Sequence, residues 1–308
     1  MAARDHGGGI DAACARWGGA RADWLDLSTG INPDPYPLPV LSRDAWIALP
    51  DHAAQEALTA AARAFWSVPD AAAVLAVPGL SAAIAALPAA FDGNLGIDIP
   101  KPTYNEHAAA WAAHPSGGAA ADLRVLVHPN NPDGRLWTRD DFAPFTVVDE
   151  SFCDVAPARS FVPETARPGT LVLKSFGKFW GLAGLRLGFA VGEPAVVDRL
   201  GARLGPWPVS GIALAIGTAA LRDPSWADAA RARLGRGAAR LDRLMARHGT
   251  LAGGTDLFRL WDVSDAAAFQ DRLARARILV RTFPYARTWV RLGLPPAEGW
   301  PRLEAALG

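Results

Sequence analysis

Cysteine is scarce: the 308 residues contain two, Cys14 and Cys153. They stand far apart and form no C-x-x-C pair, which leaves neither a disulfide framework nor a thiolate zinc site. Net charge is absent as well, with 31 Lys+Arg against 31 Asp+Glu. Polyanion binders carry a basic excess or stripe, so that class is set aside. Long apolar runs are missing too; Pro, Gly or charge interrupts every stretch well short of the roughly 20 residues that span a bilayer. The opening MAARDHGGGIDAACARWGG lacks the apolar core of a secretory signal. The expectation is a soluble, cytoplasmic, globular protein without a bound metal, a membrane or a nucleic-acid partner. At ~100–200 residues per domain the length suits about two domains or one large one.

What is present alternates. Residues 1–40 read as an extended N-terminal arm, with Gly7, Gly8 and Gly9 and then Pro33, Pro35, Pro37 and Pro39. Residues 52–66 place Ala, Leu and Phe at helical spacing. Short apolar runs follow at 73–77, 95–99, 123–127, 145–149, 170–175 and 187–191, with helical stretches at 81–90 and 105–113. Such runs do not alternate with polar residues. That suits strands covered on both faces, hence an α/β domain with a mostly parallel sheet over residues 41–205. Beyond Gly205-Pro206 an Arg-rich helical stretch, strand-like 256–263, 278–283 and 288–294, and helices at 265–276 and 298–307 predict a smaller α+β domain over 206–308.

In open α/β sheets ligands bind outside the carboxyl ends of the strands. The residues just after the apolar runs are Gly79-Leu80-Ser81, Tyr104, Asn131, Asp149, then Ser175 and Lys178 with Arg186. Backbone N–H groups at a helix start and a guanidinium bind phosphate. An amine condenses with a carbonyl, and a carboxylate holds a protonated ring nitrogen. A phosphorylated, aromatic, carbonyl-bearing ligand uses every one of these groups, and pyridoxal phosphate is that ligand. Each residue also has a plainer role open to it. Lys178 alone could be a solvated surface lysine, Asp149 could cap a turn, and Tyr104 and Phe152 could be core aromatics. Lys174 stands four residues before Lys178 and competes with it. Gly7–Gly9 follow no strand and form no dinucleotide fingerprint, and Gly177-Lys178 lacks the rest of a P-loop.

SFGKFWGLAGLRLGF (175–189) resembles the S-x-x-K…G-L-x-G-x-R-x-G signature of fold type I pyridoxal-phosphate enzymes, the class I/II aminotransferase family. HPNNPDG (128–134) is similar to the family's N-P-x-G turn, VVDESF (147–152) to its D-E-x-Y strand end, and PTY (102–104) to its ring-stacking element. Within the family, HGGGID (6–11) followed by DLSTGINP (26–33) resembles the opening of cobalamin-pathway threonine-phosphate decarboxylases, a branch near histidinol-phosphate aminotransferases.

The resemblance implies pyridoxal 5'-phosphate as cofactor and Lys178 as the lysine joined to its aldehyde. Asp149 would partner the ring nitrogen, Asn131 the phenolic oxygen, and Tyr104 would stack on the ring. Gly79, Leu80, Ser81, Ser175 and Arg186 would hold the phosphate. For the substrate it implies His6, Gly7, Gly30, Asn131, Arg281 and Arg291, although Arg281 and Arg291 could each serve a structural ion pair instead. It also implies a homodimer. Phe152 stands where most aminotransferases have Tyr, Leu49 where many have a Tyr reaching the partner subunit, and Gly30 where some decarboxylases have Asn. The expected reaction is decarboxylation of a phosphorylated amino acid, with an aminotransferase as the rival and a non-catalytic relative as the alternative of another class.

Overall fold

The computed structural model describes residues 6–114 and 121–308. In chain order it begins with α1 (Ile10–Trp17), β1 (Leu25–Asp26), α2 (Asp44–Ile47) and α3 (His52–Phe65). Two compact units divide the chain. The larger comprises 35–131 and 136–229; the smaller comprises the described residues up to Asp34, 132–135 and 230–308.

The larger unit is built on a six-stranded sheet. Its strands and helices follow as β2 (Ala73–Val77), α4 (Leu80–Ala86), β3 (Ile97–Asp98), α5 (Asn105–Trp111), β4 (Leu123–Val127), β5 (Phe145–Asp149), β6 (Thr170–Ser175), β7 (Gly188–Gly192), α6 (Pro194–Leu204) and α7 (Gly211–Leu221). The order across the sheet is β2-β7-β6-β5-β4-β3. Pairs β3–β4, β4–β5 and β5–β6 are parallel, and β7 runs antiparallel to both its neighbours. The apolar runs at 123–127, 145–149 and 170–175 form strands because both faces are covered. Val125, Val147, Leu171 and Leu173 join Leu80, Ile84, Val196, Val197 and Leu200 in one core. Between them Leu126, Val148 and Val172 are buried as completely. Each such side chain contributes roughly 1.5–3 kcal/mol relative to exposure. Asp51 caps α3 by accepting from Ala54 N at 3.1 Å, and Ser210 caps α7 through Ala213 N at 3.2 Å. Behind β6, Trp180 stacks on Phe176 at 5.0 Å and on Trp226 at 5.3 Å.

The smaller unit pairs β1 in parallel with β10 (Ile278–Leu279). Its main sheet is antiparallel, in the order β11 (Arg281–Phe283), β12 (Ala286–Gly293), β9 (Phe258–Asp262) and β8 (Thr250–Thr255). Its helices are α1, the greater part of α8 (Pro224–Met245), then α9 (Ala266–Arg275) and α10 (Trp300–Leu307).

Three features depart from the sequence expectations. The stretch at 1–40, whose first five residues lie outside those described, is not simply extended: α1 lies within it. Ile10, Ala13, Cys14 and Trp17 repeat at helical spacing and pack on Trp24, Ala274 and Leu279. The units divide inside α8, not at 205, because α7 buries Ala213, Leu214, Ile216, Ala220 and Leu221, and Gly217 lies against Leu58 and Leu187. β8 has no apolar run to announce it; its sequence is TLAGGT, at the sheet edge. No described helix is long and apolar enough to cross a membrane.

Candidate active site

Strand polarity gathers one set of side chains at a single edge of the larger sheet. The carboxyl ends of β2, β3, β4, β5 and β6 lead to Gly79, Tyr104, Asn131, Asp149 and Lys178, and the reversed β7 begins at that edge just after Arg186. Register fixes the alignment: Val127 is opposite Asp149, and Gly188 is opposite both Val77 and Ser175.

At the start of α4, Gly79 has φ +79° and ψ 150°, a region closed to residues with a Cβ. A Cβ there would lie 2.7 Å from Arg186 Nη2, so glycine is what lets the guanidinium reach the helix start. Arg186 itself is left-handed, with φ +54°, and donates from Nη1 to Ala183 O at 3.1 Å. Tyr104 is hydrogen-bonded to the Ser81 side chain. Burial, then the charges of Asp149 and Glu106, push its phenol above the ordinary value, against the opposing effects of Ser81 and Arg186. Ser175 Oγ accepts from Gly177 N at 3.2 Å. Ser81 and Arg186 remain exposed, and Tyr104 and Lys178 half-buried, which leaves the edge open to a ligand.

Asp149 is buried. Its Oδ2 lies 2.8 Å from His107 Nε2, and its Oδ1 accepts from Ser151 N at 3.0 Å and Ser151 Oγ at 2.5 Å. Burial alone would raise the carboxyl; the His107 and Ser151 hydrogen bonds outweigh it and hold Asp149 below the usual carboxylate value. The result is a fixed anion at the strand end.

The two lysines separate clearly. Lys174 is 1 % exposed, with Nζ 2.9 Å from Glu150 Oε2 and 2.7 Å from Asp154 Oδ1. Burial would lower its pKa, but Asp154 and Glu150 raise it, so it stays a charged structural ion. Glu150 also accepts from Ser160 Oγ, and Asp154 from the indoles of Trp66 and Trp180. Lys178 instead lies with Nζ 5.5 Å from the Phe152 ring centroid.

The remaining expected residues belong to the smaller unit. Arg281 and Arg291 are partners in the β11–β12 register. Arg291 Nη2 donates to Ser28 O at 2.8 Å, and its guanidinium lies over the Phe258 ring at 5.0 Å. Burial, then the charge of Arg281, push the Arg291 pKa down to about 10, while Tyr285 and Asp26 act in the other direction. Ser28 Oγ donates to Asp26 Oδ1 at 2.6 Å and accepts from Gly8 N at 2.7 Å. A Cβ on Gly7 would lie 2.5 Å from Ser28 O, so the stretch from His6 to Gly8 is seated against the loop that leads to buried Gly30.

His107 and Ser151 were not expected from the sequence. Their signals were available: His107 follows Tyr104 by three residues, one helical turn, and Ser151 follows Asp149 by two, the spacing of an Asx turn.

The family model described as aminotransferase class I and II matches residues 110–303. Threonine-phosphate decarboxylase of Pseudomonas aeruginosa is 40% identical over 327 residues, covering 98% of this chain and 97% of that protein. Among solved structures, the histidinol-phosphate aminotransferase of Clostridium acetobutylicum matches with TM-score 0.79 and 18% identity, over 92% of this chain and 98% of that one. The L-threonine-O-3-phosphate decarboxylase of Porphyromonas gingivalis matches with TM-score 0.74 and 21% identity, over 91% of this chain and 97% of that one. At those identities the two structures establish the fold alone.

Proposed function

Because this chain belongs to the aminotransferase class I and II family, we propose that it is a pyridoxal 5'-phosphate enzyme. It decarboxylates L-threonine O-3-phosphate to (R)-1-aminopropan-2-yl phosphate, a step of cobalamin biosynthesis. The 40% identity to a threonine-phosphate decarboxylase over 98% of the chain carries this reading.

The residues present fit the cofactor. Gly79 leaves room for Arg186 beside the N-terminus of α4, which suits a phosphate. Gly79, Leu80, Ser81, Ser175 and Arg186 would hold that phosphate, Tyr104 the ring face, Asn131 the phenolic oxygen and Asp149 the ring nitrogen. When bound, the cofactor supplies an electron sink for the charge left on the substrate α-carbon.

The chain's own groups do the rest. Asp149, kept ionised by His107 and Ser151, would hold the cofactor's ring nitrogen in its protonated form. Lys178 Nζ would be the amine that holds the cofactor aldehyde, and as a free ammonium it would supply the proton that the α-carbon takes in place of carbon dioxide. Arg281, Arg291, His6, Gly7 and Gly30, with Asn131, anchor the substrate. Holding the phosphate at the arginines leaves the α-carboxylate free to depart. Phe152 has no hydroxyl to offer beside Lys178, in keeping with a site adapted away from transamination.

The same reading includes a cytoplasmic homodimer without a membrane or nucleic-acid partner. Leu38, Val40, Trp46, Ile47 and Leu49 are all exposed on one short segment of the larger unit, a surface suited to cover by a second copy.

The test is direct. Holoenzyme given threonine phosphate without a keto acid releases carbon dioxide and aminopropanol phosphate. Conversion of histidinol phosphate that depends on 2-oxoglutarate, with no carbon dioxide from threonine phosphate, would establish the aminotransferase in its place.

A further inference from the structure

The turn that carries Lys178 is anchored from inside the larger unit. Residues 176–180 follow β6 directly. Gly181 N donates to Lys178 O and Leu182 N to Phe176 O, each at 3.1 Å, and these bonds close the turn. Phe176 and Trp180, two residues to either side of Lys178, stack at 5.0 Å with their planes 9° apart. Both rings are fully buried. Apolar burial has no direction, so it holds the rings together without fixing how the turn is aimed. A hydrogen bond does have direction.

Trp180 makes one. Its Nε1 donates to Asp154 Oδ2 at 3.2 Å. Asp154 lies two residues beyond Phe152, whose ring centroid is 5.5 Å from Lys178 Nζ. The same two segments therefore meet twice: at Lys178 with Phe152, and two residues further along each at Trp180 with Asp154. The second meeting is firmly held. Asp154 Oδ1 takes Lys174 Nζ at 2.7 Å and Trp66 Nε1 at 3.1 Å, and Glu150 holds Lys174 in turn at 2.9 Å. Buried groups of this kind are costly to leave without partners, so the carboxylate stays where the cluster puts it. One of its oxygens faces that cluster and the other reaches the lysine turn. A phenylalanine at 180 would keep the stack; the indole adds a donor, and with it an aim.

We propose that Asp154, acting through the Trp180 indole, is a positioning residue for Lys178. It fixes where Nζ stands for condensation with an aldehyde, in which the amine nitrogen bonds to the carbonyl carbon and the carbonyl oxygen leaves as water. This rests on the pyridoxal-phosphate reading of the site.

Two substitutions separate aim from support. Trp180→Phe keeps a ring in the stack and removes the donor to Asp154. Trp66→Phe removes the other indole donor to the same carboxylate, from a residue just beyond α3 and not on the lysine turn. Both lower the Tm. Pyridoxal phosphate is then added to the full chain stripped of cofactor, and growth of the absorbance band near the visible edge is timed. The rate falls about tenfold in Trp180→Phe and stays within about twofold in Trp66→Phe, since a misplaced reacting group slows the reaction and a loosened core elsewhere does not. Pyridoxine 5'-phosphate has an alcohol in place of the aldehyde and cannot condense; its dissociation constant is the same in both variants and the unaltered protein. Asp154→Asn is a second route. With its oxygen kept on Lys174, its amide nitrogen meets the Trp180 indole donor against donor, and capture slows as in Trp180→Phe.

Unslowed capture in Trp180→Phe or Asp154→Asn overturns the assignment. Equal slowing in Trp66→Phe, or a parallel loss of pyridoxine phosphate affinity, overturns it too, because either marks a general loosening of the fold. If the unaltered protein forms no band, the pyridoxal-phosphate reading fails and takes this assignment with it. A normal band there, with no slowing in the variants, refutes the assignment alone.

Discussion

His107 Nε2 lies 2.8 Å from Asp149 Oδ2, with both side chains shut away from solvent. An ionised carboxylate only accepts, so the imidazole Nε2–H is the donor. The contact ties α5 to the end of β5 and fixes both the charge and the direction of the buried Asp149 carboxylate at the candidate cofactor edge.

His107→Phe removes this donor and keeps an aromatic ring. The expected cost is about 1.5–3 kcal/mol, the range for hydrogen bonds to charged groups. Its sign with pH follows from the depressed Asp149 value. A carboxyl whose folded pKa lies below its unfolded one, near 4, stabilises fully above that value and loses the contribution as pH falls through the folded pKa. The penalty of His107→Phe is therefore largest at neutral pH and shrinks below about pH 4. Urea midpoints at pH 7 and pH 3.5 measure it; an equal penalty at both would refute the coupling.

The two lysines should fail in opposite ways. Lys174→Met strands Glu150 and Asp154 without their cation, and breaking a buried ion pair costs about 3–5 kcal/mol. Low soluble yield and a lowered Tm are expected. Lys178→Ala should fold normally and lose the cofactor's absorbance band near the visible edge together with turnover. A folded Lys174→Met protein without the band, beside a Lys178→Ala protein that keeps it, would reverse the assignment.

Gly79→Ala forces a Cβ to within 2.7 Å of Arg186 Nη2 and into a glycine-only backbone region. The strain amounts to about 1–3 kcal/mol. Displacing the guanidinium should weaken cofactor retention further than that strain explains. Equilibrium dialysis against pyridoxal phosphate compares it with Arg186→Ala: similar losses in both variants support a shared phosphate cradle, and normal retention in Gly79→Ala contradicts it.

Arg281→Gln removes the like charge that, after burial, depresses Arg291. Ligand-free stability should hold or rise slightly, while the KM for threonine phosphate increases tenfold or more. A thermal melt and a KM from the same preparation decide it. A large drop in Tm would show that Arg281 supports the fold instead.

Much of the larger unit could be read from local pattern. The runs at 123–127, 145–149 and 170–175 match β4, β5 and β6 at both ends, because strands buried on two faces write their limits as unbroken apolar stretches. The residues expected at the candidate site could be located for a related reason: they lie at or within a few residues of the ends of such runs. What escaped depends on partners far away in the chain. α1 was masked by the glycines before it and is held by Leu279, some 270 residues on. β8, TLAGGT, pairs only because β9 offers it an edge. The fate of Lys174 was suggested by its place inside a strand run, but the acidic pair that binds it, Glu150 and Asp154, comes from another segment.

The position of β7 between β2 and β6 has a consequence for how the protein comes into being. Gly79 follows β2, yet the arginine that meets it precedes β7, more than a hundred residues later, and among the described residues β2 has no other strand beside it. A growing chain emerging from the ribosome can lay down β3 to β6 one after another. The edge strand and the start of α4 gain their partner only when residues 186–192 have been synthesised. Closing so long a loop is an entropic toll on folding speed, since non-local pairings form late. On the proposed reading, cofactor capture through Gly79 and Arg186 would mark this last insertion into the larger sheet, and a product truncated before Arg186 would lack the guanidinium half of that phosphate cradle.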